Sequence, residues 1–426
     1  HVLFPPDRSI MDPKRPTIAS FLKGRGYRTC VVGKWHLGLN WHLLEQPAKA
    51  SNGPTRGTCW NIDFSKPPQQ GPLKLGFTDD FLFPASLDMA PYLYLRNDNA
   101  LGVPTVSKGW NRQGPATADF EAENCLIDFA RESRAFIKSA VEGKSPFFLY
   151  LPLTSPHTPI VPSKQWQGKS PLGKYGDFIM ETDWVVGEVM KELADQKVAA
   201  STVIVFTTDN GCSPAAGIPK LVSQGHKPNA NWRGHKADIY EGGHRVPFLV
   251  RWPDRIKPNS SCDLTICTTD FFATAADILG VRGRQFPQNA AEDSFSFLQA
   301  LDHPDSLTPV RPYTIHHSIN GSFAIRKGAW KLCLCPGSGG WSAPQPRNAL
   351  RDKSLPPIQL FNLSADPAET RNLQSEYPDV VQDLVADLHH AIKYGRSNSG
   401  LPSKNEGWPN TFPAPVLKLF PQLAGK

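Results

Sequence analysis

Lys34 and His36 stand two residues apart at the end of RTCVVGKWH, an apolar run whose length and valines predict a β-strand. Alternation along a strand puts both side chains on one face near its C-terminal end, where ligands bind in open α/β sheets. The same kind of position recurs. His157 in SPHTP follows the strand-like FFLYLPL, and Asp209 and Asn210 in TTDNG follow TVIVF. Lys236 lies in RGHKADIYEGGHRVPF ahead of the apolar run PFLVRW, with Gly242 and Gly243 permitting close backbone approach. Alone, each residue reads as an ordinary strand end, loop or turn. Together, two lysines, two histidines and an Asp-Asn pair at loop mouths describe chemistry on a tetrahedral oxyanion beside a divalent cation. Ammonium groups hold the oxygens, an imidazole moves a proton, and the Asp-Asn pair offers the hard oxygen donors that Ca²⁺ or Mg²⁺ takes.

These residues need a sheet to hold them. Amphipathic stretches at PTIASFLKGRGY, FEAENCLIDFARESRAFIKSAV and FIMETDWVVGEVMKELADQ each precede an all-apolar strand, with Gly26 placed to end the first helix. Strands of that kind imply an α/β fold, a sheet covered by helices. Between Leu39 and Gln113 the chain is rich in Pro, Gly and Asn with poor periodicity, which predicts long loops over the sheet's edge. After about Thr308 the pattern changes to YTIHHS, SFAIRKG, AWKLCLC and PIQLFNLS, then a helix near PDVVQDLVADLHHAIKYG: a small antiparallel sheet with one packed helix. The expected division is therefore 1–308 and 309–426. The Pro-rich tail from Leu401 is expected to wrap over the surface.

Composition narrows the function classes. With 426 residues, 40% hydrophobic and 20% charged, the chain can bury a large core, and no apolar run reaches membrane-spanning length. Its net charge of +7 comes from 46 basic residues scattered among 39 acidic ones, so nucleic acid is not an expected partner. Eight cysteines without CxxC pairs indicate no zinc site and leave disulfides open. Asn259, Asn320 and Asn362 head Asn-x-Ser sequons, which fit a secreted or lysosomal protein.

GKWHLG, PHTP, TDNG and HKADIYEGGHRVP, in this order and spacing, resemble the sulfatases of the alkaline phosphatase superfamily. FNLSADPAETRNL resembles their C-terminal sheet, and IDFSKP and PASLDMAPY resemble loops of the arylsulfatase-like branch. The resemblance implies a large mixed, mostly parallel, alkaline phosphatase-like sheet between helices. It also implies a sulfuric ester hydrolase acting on a sulfated small molecule or glycan. His36 matches the catalytic histidine beside the nucleophile, and Lys34 a lysine touching nucleophile and sulfate. His157 matches the histidine that holds the ester and protonates the leaving oxygen. Lys236 matches a sulfate-binding lysine, and Ser86 a substrate-contacting serine of some members. Asp209 and Asn210 match half of a calcium site, with Mg²⁺ the less favoured ion. A secreted, lysosomal or periplasmic location goes with this; oligomeric state is left open.

The family's nucleophile, a formylglycine made from Cys or Ser in a Cys/Ser-x-Pro-Ser/Ala-x-Arg motif, is absent, as is the strand ending in two metal-binding aspartates. Cys212 in CSPAAG has Gly217 where Arg is required, and Asp79 and Asp80 are read as a loop pair. Both missing parts are expected upstream of His1, whose surroundings lack an initiator Met and a signal peptide and read as a cut. Without that strand the chain is expected to fold poorly and be inactive, activity belonging to the complete protein. Two other readings stay open: a phosphoester or phosphonate hydrolase of the same superfamily, and a non-catalytic binder of sulfated glycans.

Overall fold

The computed structural model describes residues 3–5, 7–45, 59–281, 283, 286–404 and 412–424. The chain divides into two compact units, His1–Ala200 and Ser201–Lys426, each described by itself.

In the first unit, α1 (Ile18–Lys23) starts at a capping box in which Thr17 and Ser20 satisfy each other's backbone N–H groups. Gly24 caps its end, and Gly26, expected to do so, instead supplies the left-handed φ of +82° that turns the chain into β1 (Arg28–Lys34). Next come β2 (Asp79–Phe83), β3 (Leu95–Arg96), β4 (Asn99–Ala100) and the hairpin β5 (Val106–Lys108) and β6 (Gly114–Ala116). Helix α2 (Cys125–Glu142) leads into β7 (Phe147–Tyr150), and α3 (Gly173–Asp195) packs along α2. The sheet order is β4-β3-β2-β1-β7, with β1 parallel to both β2 and β7 and the β3–β4 edge antiparallel. Val31 points into a cluster with Ala19, Leu82 and Leu95, while α2 also packs against β1 and β7. The sheet is thus mixed and helix-covered, as expected.

Two expectations are corrected. The stretch from Leu39 to Gln113 is not all loop, since it contributes the parallel strand β2. Asp79 and Asp80 are therefore strand residues, stabilised there by partners outside their own segment: Asp79 takes a two-point ion pair from Arg28 of β1, at 2.8 and 2.6 Å.

The second unit contains β8 (Ile204–Thr207), α4 (Ile218–Ser223), the single turn α5 (Glu241–His244), β9 (Phe248–Arg251), α6 (Phe271–Ile278) and α7 (Leu298–Asp302). β8 and β9 pair antiparallel as a separate two-stranded sheet. The C-terminal sheet, β10 (Thr314–His317), β11 (Phe323–Lys327), β12 (Trp330–Cys333) and β13 (Gln359–Asn362), is antiparallel throughout, with α8 (Pro346–Ala349) before its last strand. One face, carrying Ile325, Leu332 and Leu360, is covered by α9 (Pro378–Tyr394) through Val381, Leu384, Val385 and Leu388. α10 (Ala414–Leu419) also enters that core with Val416, so the C-terminal tail is in part a buried element, because FPAPVLKLF places apolar residues at helical spacing. All eight cysteines are free thiols, five of them buried.

The turn between β3 and β4 buries an acidic pair. The Asp98 N–H donates to Asp80 Oδ2 at 3.0 Å, the Asn97 side chain accepts from the Asp80 N–H, and both carboxyls are almost wholly buried. Burial and the neighbouring Asp98 push the Asp80 carboxyl up to about 7, and burial pushes Asp98 up to about 6. Folded pKa values above the unfolded carboxyl range mean that the folded state holds protons the unfolded chain has released, so this pair removes stability as pH rises from about 4 to about 7. Replacing Asp98 by Asn, which tolerates the left-handed φ of +63° at this position, takes away the like charge. In urea unfolding at pH 5 and pH 7.5, Asp98→Asn is expected to gain on the parent as pH rises, by on the order of 1–3 kcal/mol. Parallel pH profiles of the two proteins would rule the coupling out.

Candidate active site

Three parallel strand ends meet in the first unit. The Lys34 N–H donates to Pro152 O at 2.7 Å, Trp35 N–H to Phe83 O at 2.9 Å and His36 N–H to Pro84 O at 3.3 Å, tying the end of β1 to the exits of β7 and β2. Gly33 makes this possible: a Cβ there would lie 2.1 Å from Pro152 O, and its φ is +134°. Lys34 closes the strand, but His36 lies beyond it with φ +46°, so strand alternation does not govern its side chain. Its Nε2 donates to Leu3 O at 3.0 Å, since a carbonyl can only accept. Ser86 follows β2 and is buried. His157 follows β7, with its Nδ1 donating to Thr158 O at 2.7 Å. That bond fixes the tautomer and makes Nε2 the ring atom whose protonation can change.

Two groups here were not singled out from the sequence. Asp88 lies two residues beyond Ser86 and pairs with Arg112 at 2.6 Å. Burial alone would raise its pKa, but the Ser86 hydroxyl, the Arg112 guanidinium and the charge of His157 outweigh burial and hold the carboxyl below its ordinary range. It therefore sets a negative charge near His157. The Ser-x-Asp spacing in PASLDMAPY was visible; its partner Arg112 was too distant in sequence to be.

Asp209, Asn210 and Lys236 lie in the second unit. The turn after β8 is docked by backbone bonds, Gly211 N–H to Gly243 O at 2.9 Å and Lys236 N–H to Cys212 O at 3.0 Å, and the Asn229 side chain accepts from Cys212 N–H at 2.8 Å. A Cβ on Gly211 would lie 1.8 Å from Gly242 O. The three predicted residues thus share one cradle, and Cys212 serves it through its backbone. Asp209 is exposed and Asn210 half-buried, both with hard oxygen donors, but Ca²⁺ takes roughly six to eight oxygens. Among the described residues no group of three or more His, Cys, Asp or Glu is placed to hold a metal, so the pair fits the ion in donor type and not in number.

Comparison with known proteins identifies the family and the fold. A family model described as Sulfatase matches residues 6–281. An N-acetylgalactosamine-6-O-sulfatase of Bacteroides thetaiotaomicron is 31% identical over 430 residues, covering 90% of this chain and 78% of that one. The steryl-sulfatase of Homo sapiens is 29% identical, covering 95% and 76%. A solved structure from work on glycosaminoglycan metabolism by Bacteroides thetaiotaomicron superposes with a TM-score of 0.75 at 29% identity, covering 92% of this chain and 84% of its own. The fold is accordingly the alkaline phosphatase-like α/β fold with a smaller antiparallel sheet.

Gly211→Ala tests the cradle. The clash with Gly242 O has no flexible side chain to absorb it, and the substitution is expected to cost about 1–3 kcal/mol in denaturant unfolding. A variant as stable as the parent would show that the turn is not held against α5.

Proposed function

We infer, from the premise that this chain belongs to the sulfatase family and is a sulfuric ester hydrolase, that its substrate is a sulfated carbohydrate, with 6-sulfated N-acetylgalactosamine the first to try. The observation that carries this reading is the placement of Lys34 and His36 at the end of β1, tied by backbone bonds to the exits of β2 and β7 that lead to Ser86 and His157. Two relatives named for N-acetylgalactosamine-6-sulfate, from Bacteroides thetaiotaomicron and Sus scrofa, support the choice of sugar.

Cleaving a sulfate ester requires positive charge on the non-bridging oxygens and a proton for the leaving alkoxide. In the first unit Lys34 supplies such charge, and in the second Lys236 is the lysine assigned to sulfate by the family resemblance. His157, held by Thr158 O and facing the negative field of Asp88, supplies the proton from Nε2. His36 is assigned a place beside the attacking group, and Ser86 a contact with the substrate. The attacking hydroxyl is assigned to a formylglycine, and Ca²⁺ held in part by Asp209 and Asn210 would add charge to the sulfate oxygens. A secreted, lysosomal or periplasmic site of action suits a glycan substrate; among the described residues no helix is long and apolar enough to cross a membrane.

Sulfate release by the complete protein from 6-sulfated N-acetylgalactosamine, followed by ion chromatography, is the test. His36→Ala is expected to lower kcat by about 10²–10⁴-fold. His157→Ala should lose more on this alkyl sulfate than on an aryl sulfate whose leaving group needs no proton. Faster turnover of the matched phosphate esters, or no release from any sulfated sugar, would overturn the reading.

A further inference from the structure

The C-terminal sheet carries an apolar cluster on each face, and on the face away from α9 a set of buried charges is enclosed beside it. Alternation sends Ile325 and Leu332 toward α9, and Arg326, Lys331, Cys333 and Phe361 to the other side, where Ile239 and Tyr240 of the HKADIYEGGH segment cover them. Lys331 is 0% exposed there. Its ammonium lies 2.9 Å from Glu241 Oε1, 2.9 Å from Glu369 Oε1 and 3.3 Å from His244 Nε2. Arg326 pairs with Glu241 Oε2 at 3.1 Å, Glu369 Oε2 accepts from the Glu241 N–H at 2.7 Å, and the His244 ring stacks on His316 at 4.1 Å. Burial would lower the Lys331 pKa, but Glu241 and Glu369 override it and keep the ammonium charged.

Enclosing charges at such density is costly, and well-packed apolar side chains would hold two surfaces together at least as well. What apolar contact lacks is direction. The cluster fixes both the side chain and the N–H of Glu241, the first residue of α5. Two residues on, Gly243 O receives the Gly211 N–H, and the neighbouring loop supplies Lys236 N–H to Cys212 O. Gly242 and Gly243 are packed so closely, 2.3 Å from Gly234 O and Asp238 O for an added Cβ, that α5 cannot shift without moving this loop.

We propose that Lys331 and Glu369 are positioning residues that, through Glu241 and α5, set where Lys236, Asp209 and Asn210 stand. The link to catalysis rests on the sulfatase reading of those three residues; the mechanical coupling does not. The double variant Lys331→Met/Glu369→Gln, made in the complete protein, removes the two charges together and leaves Glu241 paired with Arg326, so the fold has no orphaned charge. Hydrogen exchange by mass spectrometry is expected to quicken at least 10-fold in peptides containing Gly211, Lys236 and Gly243, with peptides containing Ile325 and Leu332 unchanged. Binding of inorganic sulfate, measured by calorimetry, should weaken at least 10-fold. Parental exchange in those loops, or equal quickening across the whole C-terminal sheet, overturns the proposal. Glu369→Gln alone should give the same pattern at smaller amplitude and stands in if the double variant does not fold. Localised exchange with unchanged sulfate affinity would uphold the coupling and count against the assignment of Lys236 to sulfate.

Discussion

Parallel strands can be brought to a common edge only if their exits do not collide, and in the first unit that constraint falls on Gly33. With no Cβ, it lets the end of β1 approach Pro152 closely enough for the Lys34 N–H to reach a carbonyl beyond β7. The other side of β1 is tied to the exit of β2 in the same way. Lys34, His36, Ser86 and His157 are consequently set by main-chain bonds between strand exits, which are stiffer than side-chain packing alone. The loops can then vary in sequence while the chemistry-bearing positions hold their places.

The second unit solves the same problem with charge. Its loop carrying Lys236 is anchored by the buried Ile239 and Tyr240, and the structure adds Asp238 and Glu241 on either side of them. Asp238 accepts N–H bonds from Trp341 and Ser342 at 2.8 and 3.0 Å, and Glu241 enters the cluster around Lys331. Burial would raise the Glu241 pKa, but Lys331 and Arg326 hold it down to about 2, and burial with the nearby cations keeps His244 and His316 far below the usual imidazole range. Those three groups therefore keep one protonation state across acidic and neutral compartments.

Much of this was legible. Apolar runs located β1, β7, β8, β9 and the C-terminal sheet because a run of that composition has few other uses, and α9 showed its helical stripe. β2 escaped because DDFLF opens with two carboxylates, whose strand conformation depends on Arg28 and on the Asn97–Asp98 turn. Lys331 is the sharper case. In WKLC a lysine between apolar residues reads as the solvent side of a half-buried strand, yet its side faces a second covering layer. Nothing local distinguishes the two, since Glu241 lies on a different element, far back along the chain. Asp88 was hidden likewise until Arg112 was placed beside it.

The apolar strands also carry a consequence for handling the protein. Among the described residues β7 ends its sheet, and β8 and β9 pair with each other; although their sequences suit full burial, Tyr150, Phe206 and Leu249 stand 46%, 37% and 59% exposed. Apolar strand residues this exposed are a template for association with any extended peptide they meet. Solubility of the chain is accordingly expected to fall as its concentration rises.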